Sequence, residues 1–209
     1  MEVKKINLNN YDPSELREGD IVEVSGVVYT IRDAACARLV NETSSDCAKR
    51  RDCHETADFR LGHLRQSKLP SPKTRRLRAT DALLSQYVSE ESLPFDLRGA
   101  AIFFAGPAAT PPGQVVGSIG PTTSARMDAY VPFLLARGVK AFIGKGVRSA
   151  EADRLTRQNG AVYFIAIGGA AAKYRLNVTS CELIAYPDLG TEAVYRLTLK
   201  NMPLIVGIC

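Results

Sequence analysis

The chain has 209 residues, enough for one well-packed domain, and 45% of them are hydrophobic while 23% are charged, which excludes wholesale disorder. No stretch reaches the roughly 20 apolar residues of a membrane span, and the opening MEVKKINLNN has no apolar run behind its lysines, so a cytoplasmic protein is expected. The net charge of +5 is a mild, spread excess that suits small anions better than nucleic acid. In chain order, residues 19–31 (GDIVEVSGVVYTI) alternate apolar and polar around a glycine and predict a β-hairpin or two short strands. Asp33 caps a helix over 33–40, which puts Arg32 and Asp33 at a strand-to-helix junction. Residues 41–92 are rich in charge and poor in large apolar side chains, and read as a flexible surface insertion within a single domain spanning 1–209, with a short helix at 80–89.

Beyond the insertion, strands are expected at 97–105, 115–119, 139–143 and 161–167. Helices are expected at 127–137, 149–158 and 170–176, ended in two cases by Gly138 and by Asn159-Gly160. Further strands are expected at 181–186, 193–199 and 203–208. Alternating strands and helices point to a layered α/β fold with a mixed sheet.

Five cysteines (Cys36, Cys47, Cys53, Cys181, Cys209) make an odd set without a CxxC pair. Neither a disulfide framework nor a complete iron–sulfur or zinc site is expected within the chain. Cys47, Cys53, His54 and His63 have poor zinc spacing, and the basic run Lys68–Arg78 reads as solvated surface.

Polar chemistry gathers in three loops that follow hydrophobic strands: Thr30-Ile31-Arg32-Asp33, Gly120 to Arg126 (GPTTSAR), and Gly144-Lys145-Gly146. Ligands in open α/β sheets bind beyond the carboxyl ends of strands, and glycines let the backbone approach them. Arg32, Arg126 and Lys145 on one crevice would suit a ligand with two carboxylates, with Thr122 and Thr123 adding hydroxyls. Each loop alone also reads as ordinary structure: a solvated arginine, a turn with a helix cap, a glycine turn. The two readings stand side by side at the level of the residues.

At these same residues the chain resembles the β-type subunit, or C-terminal domain, of class I iron–sulfur hydro-lyases, the family of class I fumarate hydratases and L(+)-tartrate dehydratases. The resemblance rests on LREGDIVEVSGVVYTIRDAACARL (16–39), LPFDLRGAAIFFAGPAATPPGQVVGSIGPTTSARMD (93–128), VKAFIGKG (139–146), VYFIAIGGAAA (162–172) and DLGTEAVYRLTLKNMPLIV (188–206). It implies a swivelling β/β/α domain. It also implies an α-type partner subunit, in an α2β2 assembly, that carries a 4Fe–4S cluster with one open iron acting as a Lewis acid. The implied reaction is reversible addition of water across the double bond of a dicarboxylate, fumarate first, with tartrate dehydration or a non-catalytic dicarboxylate-binding domain as alternatives. The resemblance places substrate binding on Arg32, Arg126 and Lys145 and the catalytic base on Thr122, with Asp33, Thr123, Gly144 and Gly146 in support. It assigns no metal ligand to this chain. The family usually reads RDAAH where this chain reads RDAAC, and Cys36 is expected to be a small buried residue rather than a ligand.

Overall fold

Lys4–Asn7 forms the first strand, β1, in the computed structural model, which describes residues 3–49 and 93–209. Only Ile6 of KKIN is buried, so this strand carries no alternation that a sequence could show. It pairs in parallel with the first half of Ile21–Thr30 (β2), from Lys4 opposite Val22 to Asn7 opposite Ser25.

The expected hairpin at 19–31 is instead this one strand. Gly26 does not turn the chain; it marks a bulge. The register with Val194–Ile208 (β9) steps from Val24 opposite Met202 to Gly26 opposite Leu199, so Ser25 faces two residues, Lys200 and Asn201. Gly26 has φ +124°, a region that favours glycine, and a Cβ there would lie 3.1 Å from the Cβ of Leu8. The Ser25 hydroxyl accepts from the Asn201 amide at 2.9 Å and faces its Oδ1 at 3.3 Å. Asn201 takes up the extra residue at φ +50°, which is why the two strands expected at 193–199 and 203–208 are one.

The helix expected over 33–40 runs on as Asp33–Lys49 (α1), so its last turns fall in the segment read as insertion. The helix expected at 80–89, the basic run Lys68–Arg78 and the side chains of Cys47, Cys53, His54 and His63 lie outside the described residues. The strand expected at 97–105 divides into Ala101–Phe103 (β3) and Ala105–Pro107 (β4), and β4 pairs with Ile119–Pro121 (β5) in a separate two-stranded sheet. The segment expected as a strand from 115 therefore becomes regular only at Ile119. The helix expected at 127–137 starts as a 3-10 turn, Ser124–Tyr130, and becomes α-helical over Val131–Ala136 (α2), with Pro132 tolerated in its first turn.

Ala141–Gly144 (β6), Ala150–Gln158 (α3), Val162–Ile165 (β7), Ala171–Tyr174 (α4) and Val178–Ala185 (β8) complete the order. Strands β2, β3, β6 and β7 run parallel in that order. Strand β9 runs antiparallel to both β7 and β2, so the pairing closes on itself, with β1 and β8 on the outside.

Both faces of the parallel strands are buried, in strict alternation. Phe103, Ile143 and Phe164 face one core with Val24, Val28, Leu197, Leu199 and Met202, between the β layers. Ile102, Phe104, Phe142 and Tyr163 face a second core with Cys36, Leu39, Phe133, Leu134 and Leu155, beneath the helices. This is an α/β fold with a mixed sheet, one face of which packs against the helices. Among the described residues, no helix is long and apolar enough to cross a membrane.

Candidate active site

The end of β2 and the start of α1 set the first cation. The Cys36 amide donates to the Arg32 carbonyl at 2.9 Å, so Arg32 occupies the cap position expected of Asp33. The orphan Ala34 amide finds its acceptor in trans: Glu192 Oε2 at 2.9 Å. The other oxygen of the same carboxylate, Oε1, sits 3.1 Å from Arg32 Nη2. Glu192 closes a 3-10 turn, Pro187–Glu192, whose backbone packs tightly over β4: a Cβ on Gly106 would lie 2.1 Å from the Thr191 carbonyl oxygen and 3.0 Å from Arg32 Cδ. The turn is tied to α1 by Arg38, which makes two 2.8 Å bonds to Asp188 and stacks on the Tyr186 ring at 4.9 Å. Removing the Glu192 carboxylate leaves a helix-start amide and a half-buried guanidinium without their partner. Glu192→Ala is expected to lower stability by about 1–2 kcal/mol, measured by urea unfolding.

Asp33, freed from capping, faces Arg126. Its Oδ2 accepts from Nη2 and its Oδ1 lies 3.3 Å from Nε, so α1 and the Ser124–Tyr130 turn are joined through the two motifs. The hydrogen bond from Arg126 holds the Asp33 carboxyl below the usual carboxylate range. A depressed folded-state pKa contributes stability at pH above the ordinary value of 3.8, and that contribution is lost as pH falls through the lowered one. Asp33→Asn is expected to lower stability slightly at neutral pH and to flatten the acid limb below 3.8, in unfolding curves taken down through that pH. Both partners are partly solvated, so the effect is small.

The Thr122 and Lys145 segments are bonded to each other. The Thr122 amide donates to Phe104 O at 2.6 Å, the Lys145 amide donates to Thr122 O at 3.2 Å, and the Ser124 amide donates to Lys145 O at 2.9 Å. Thr123 and Lys145 form an isolated parallel bridge. Thr122 is 9% exposed, and its hydroxyl has no hydrogen-bond partner among the described residues. Thr123 stands before the 3-10 turn but gives it no side-chain cap bond. The Lys145 stem crosses Gly168, where a Cβ would lie 3.0 Å from its Cδ. Its ammonium has no acceptor among the described residues. Gly146 adopts φ +84°, so the residue after Lys145 has to be free of a side chain that resists this conformation.

Thus the structure brings together the segments of Asp33 with Arg126, and of Thr122 and Thr123 with Lys145, where the chain leaves β2, β5 and β6. It does not place Arg32 in contact with the Thr122–Lys145 pair; Arg32 faces Glu192. The buried Arg32 Nε has no hydrogen-bond partner, so this guanidinium retains donors of its own. Guanidinium and ammonium donors of this kind suit anionic groups, Arg as a planar fork and Lys as a point charge. Cys36 is fully buried in the core under the helices, and burial pushes its thiol well above its ordinary range. Among the described residues no group of three or more His, Cys, Asp or Glu gathers in ligand geometry, so these residues do not fit a metal cluster.

Sequence reasoning missed Glu192, although it lies in the quoted segment 188–206; nothing in that segment shows which strand end it will reach. It also missed Ser124, Asp128, Arg148 and Tyr163, which form a polar box behind the Lys145 loop. Ser124 Oγ and Gly146 O lie 2.9 and 2.7 Å from the Tyr163 hydroxyl.

The family model described as Fumarase C-terminus matches residues 74–208. The aerobic class I fumarate hydratase of Escherichia coli strain K12 is 38% identical over 118 residues, covering 56% of this chain and 22% of that enzyme. Fumarate hydratase 2 of Leishmania major is 37% identical over 122 residues, covering 56% of this chain and 21% of that protein. The "Putative L(+)-tartrate dehydratase subunit beta" of Methanocaldococcus jannaschii is 31% identical over 214 aligned residues, covering 100% of this chain and 87% of that protein. The chain therefore spans about a fifth of the length of these two fumarate hydratases, and most of the M. jannaschii protein. Thr122, Arg126 and Lys145 fall within the family match; Arg32 and Asp33 precede it and are covered by the M. jannaschii alignment.

Proposed function

The chain belongs to the Fumarase C-terminus family, and on that footing we propose that it is the β-type subunit of a hydro-lyase that interconverts L-malate and fumarate with an α-type partner subunit. The observation that carries this reading is the pairing of the Thr122 and Lys145 segments beside the Asp33–Arg126 link. It supports the reading because it links the backbone of a threonine whose hydroxyl is unengaged to that of a lysine whose ammonium is unengaged, one turn from Arg126.

In the dehydration direction, Arg126 and Lys145 hold one carboxylate and Arg32 the other. Arg gives planar, bidentate contact and Lys a compact charge. Arg126 reaches the substrate by exchanging part of its bond with Asp33, which then keeps the guanidinium in plane. Arg32 does the same against Glu192. Thr122 Oγ1 removes the proton on the carbon next to a carboxylate. A neutral threonine cannot take this proton, so Thr122 acts as its alkoxide: its own proton passes to solvent before the site closes, Lys145 and Arg126 favour the charge left behind, and the substrate proton restores the hydroxyl. As the proton leaves, charge spreads into the adjacent carboxylate, where the same cations stabilise it. The bond to the departing hydroxyl breaks and the double bond forms. A 4Fe–4S cluster on the partner subunit, in an α2β2 assembly, would supply the Lewis acid for that hydroxyl; the steps assigned here are those of this chain's own side chains.

A second reading, dehydration of L(+)-tartrate, is favoured by one observation: a relative that aligns with the whole chain and is itself of similar length carries that name. The two substrates differ by a hydroxyl. Turnover of L-malate and L(+)-tartrate by the complex of this chain with its cluster-bearing partner separates them. Malate turnover supports the first reading, and tartrate turnover alone replaces it with the second.

A further inference from the structure

The Arg148 side chain is 1% exposed, yet only its Nε is paired, with Asp128 Oδ1 at 2.5 Å. Both terminal amino groups are buried without a hydrogen-bond partner. The guanidinium lies over three rings instead: Tyr163 at 5.1 Å, Phe104 at 5.3 Å and Phe142 at 5.9 Å. The other Asp128 oxygen, Oδ2, accepts from the Ser149 amide at 2.7 Å, where α3 begins. Ser149 in turn caps α3 by accepting from the Ala152 amide at 3.2 Å.

Burying a guanidinium with two unsatisfied amino groups is costly, and contact with ring faces offsets only part of it. An apolar side chain of similar length would fill this volume at no such cost, since buried ion pairs are often neutral for stability when replaced as a pair. What sets the pair apart is therefore what it connects. Asp128 lies two residues after Arg126, and Arg148 three residues after Lys145. Two residues that bear those rings also bond the site's loops: the Phe104 backbone carbonyl accepts from the Thr122 amide, and the Tyr163 hydroxyl donates to Gly146 O.

We propose that Arg148 is a positioning residue, acting with Asp128 to lock the Arg126 turn, the Thr122 segment and the Lys145 loop into one rigid unit that presents its cations to the substrate. The inference rests on the dicarboxylate reading for its kinetic consequence, but not for its structural one. Arg148 touches no reacting atom. Its loss is felt as misplacement of Arg126 and Lys145, hence mainly in substrate binding.

The test uses R148M, R148K and the double variant R148M/D128N, which leaves no unpaired buried charge. In the assembled complex, R148M is expected to raise KM for the dicarboxylate about tenfold with a smaller change in kcat, because a small displacement of binding groups is enough to weaken a clamp. R148K, which keeps the charge but not the planar stack on three rings, falls between R148M and wild type. The double variant is no worse than R148M, since both substitutions break one connection. In the chain alone, hydrogen exchange at the Ser124 and Lys145 amides speeds up in R148M and in the double variant while exchange in β2 and β9 is unchanged. Folded variants with unchanged KM and unchanged exchange overturn the proposal. If the wild-type complex turns over neither malate nor tartrate, the functional reading fails, and the exchange measurement still decides the positioning role.

Discussion

Thr122→Ala in the assembled enzyme lowers kcat for L-malate by about 10²- to 10⁴-fold, the range associated with a positioned general base. KM is expected to move far less, because the proposed mechanism assigns the carboxylates to Arg32, Arg126 and Lys145 and not to the hydroxyl. The structural grounds are specific. Thr122 is 9% exposed, its amide is fixed by Phe104 O, its carbonyl by the Lys145 amide, and its Oγ1 is left without a partner among the described residues. The substitution removes one hydroxyl and leaves the backbone bonds intact, so the fold is retained. Thr122→Ser restores part of the rate, since it returns the oxygen without the methyl. Activity near wild type in Thr122→Ala would remove the threonine from the mechanism while leaving the cation site in place.

Gly144→Ala is expected to lower stability markedly. Gly144 ends β6, and a Cβ there would lie 2.0 Å from Ser124 Oγ, 3.2 Å from Phe104 Cδ2 and 3.3 Å from Ser124 Cβ. The Ser124 hydroxyl cannot simply rotate away, because it occupies the polar box with the Tyr163 hydroxyl at 2.9 Å. Over-packing at such a point costs about 2–3 kcal/mol, which corresponds to a fall in Tm on the order of 5–10 °C for a chain of this size. Ser124→Ala alone costs about 1 kcal/mol, since the Tyr163 hydroxyl keeps its bond to Gly146 O. In the double variant Gly144→Ala/Ser124→Ala the closest overlap is gone, and the loss is smaller than the sum of the singles by more than 1 kcal/mol. Thermal unfolding of the four proteins measures this. Additive losses would mean that Gly144 is required for a reason other than the Ser124 hydroxyl.

Much of the fold was legible where local pattern and burial agree. The helix expected at 149–158 and stopped by Asn159-Gly160 is α3 to within one residue, with Ser149 as its cap instead of its first residue. The apolar runs around Ile102, Phe142 and Phe164 gave parallel strands because both of their faces are buried. The errors occur where one residue serves a distant partner. Gly26 reads locally as a turn, but its conformation answers to Leu8 and to a bulge facing Asn201, more than 170 positions away. Asp33 reads as a cap, but Arg126 claims its carboxylate and Glu192 takes over the capping of Ala34.

The site divides in the same way. Arg32, Thr122, Arg126 and Lys145 stand out in a sequence because each follows a hydrophobic run with a glycine or a hydroxyl nearby. Their supports do not. Glu192 is one acidic residue among 22 Asp and Glu, and Arg148 one basic residue among 27 Lys and Arg, until topology brings each beside its partner. The glycines are intermediate: GKG is visible as a motif, but that Gly144 is required by Ser124 Oγ and not by its own backbone emerges only from packing.

The central claim is that this chain contributes the dicarboxylate clamp of a two-subunit hydro-lyase. The most direct measurement is anaerobic co-expression with the cluster-bearing partner subunit, followed by ultraviolet absorbance of fumarate formed from L-malate, with L(+)-tartrate in parallel and Arg126→Ala as the paired variant. Malate turnover by the wild-type complex that falls by at least about 10²-fold in kcat/KM for Arg126→Ala is the predicted result. A complex with a loaded cluster that turns over neither substrate, or one whose malate turnover is indifferent to Arg126→Ala, would contradict it.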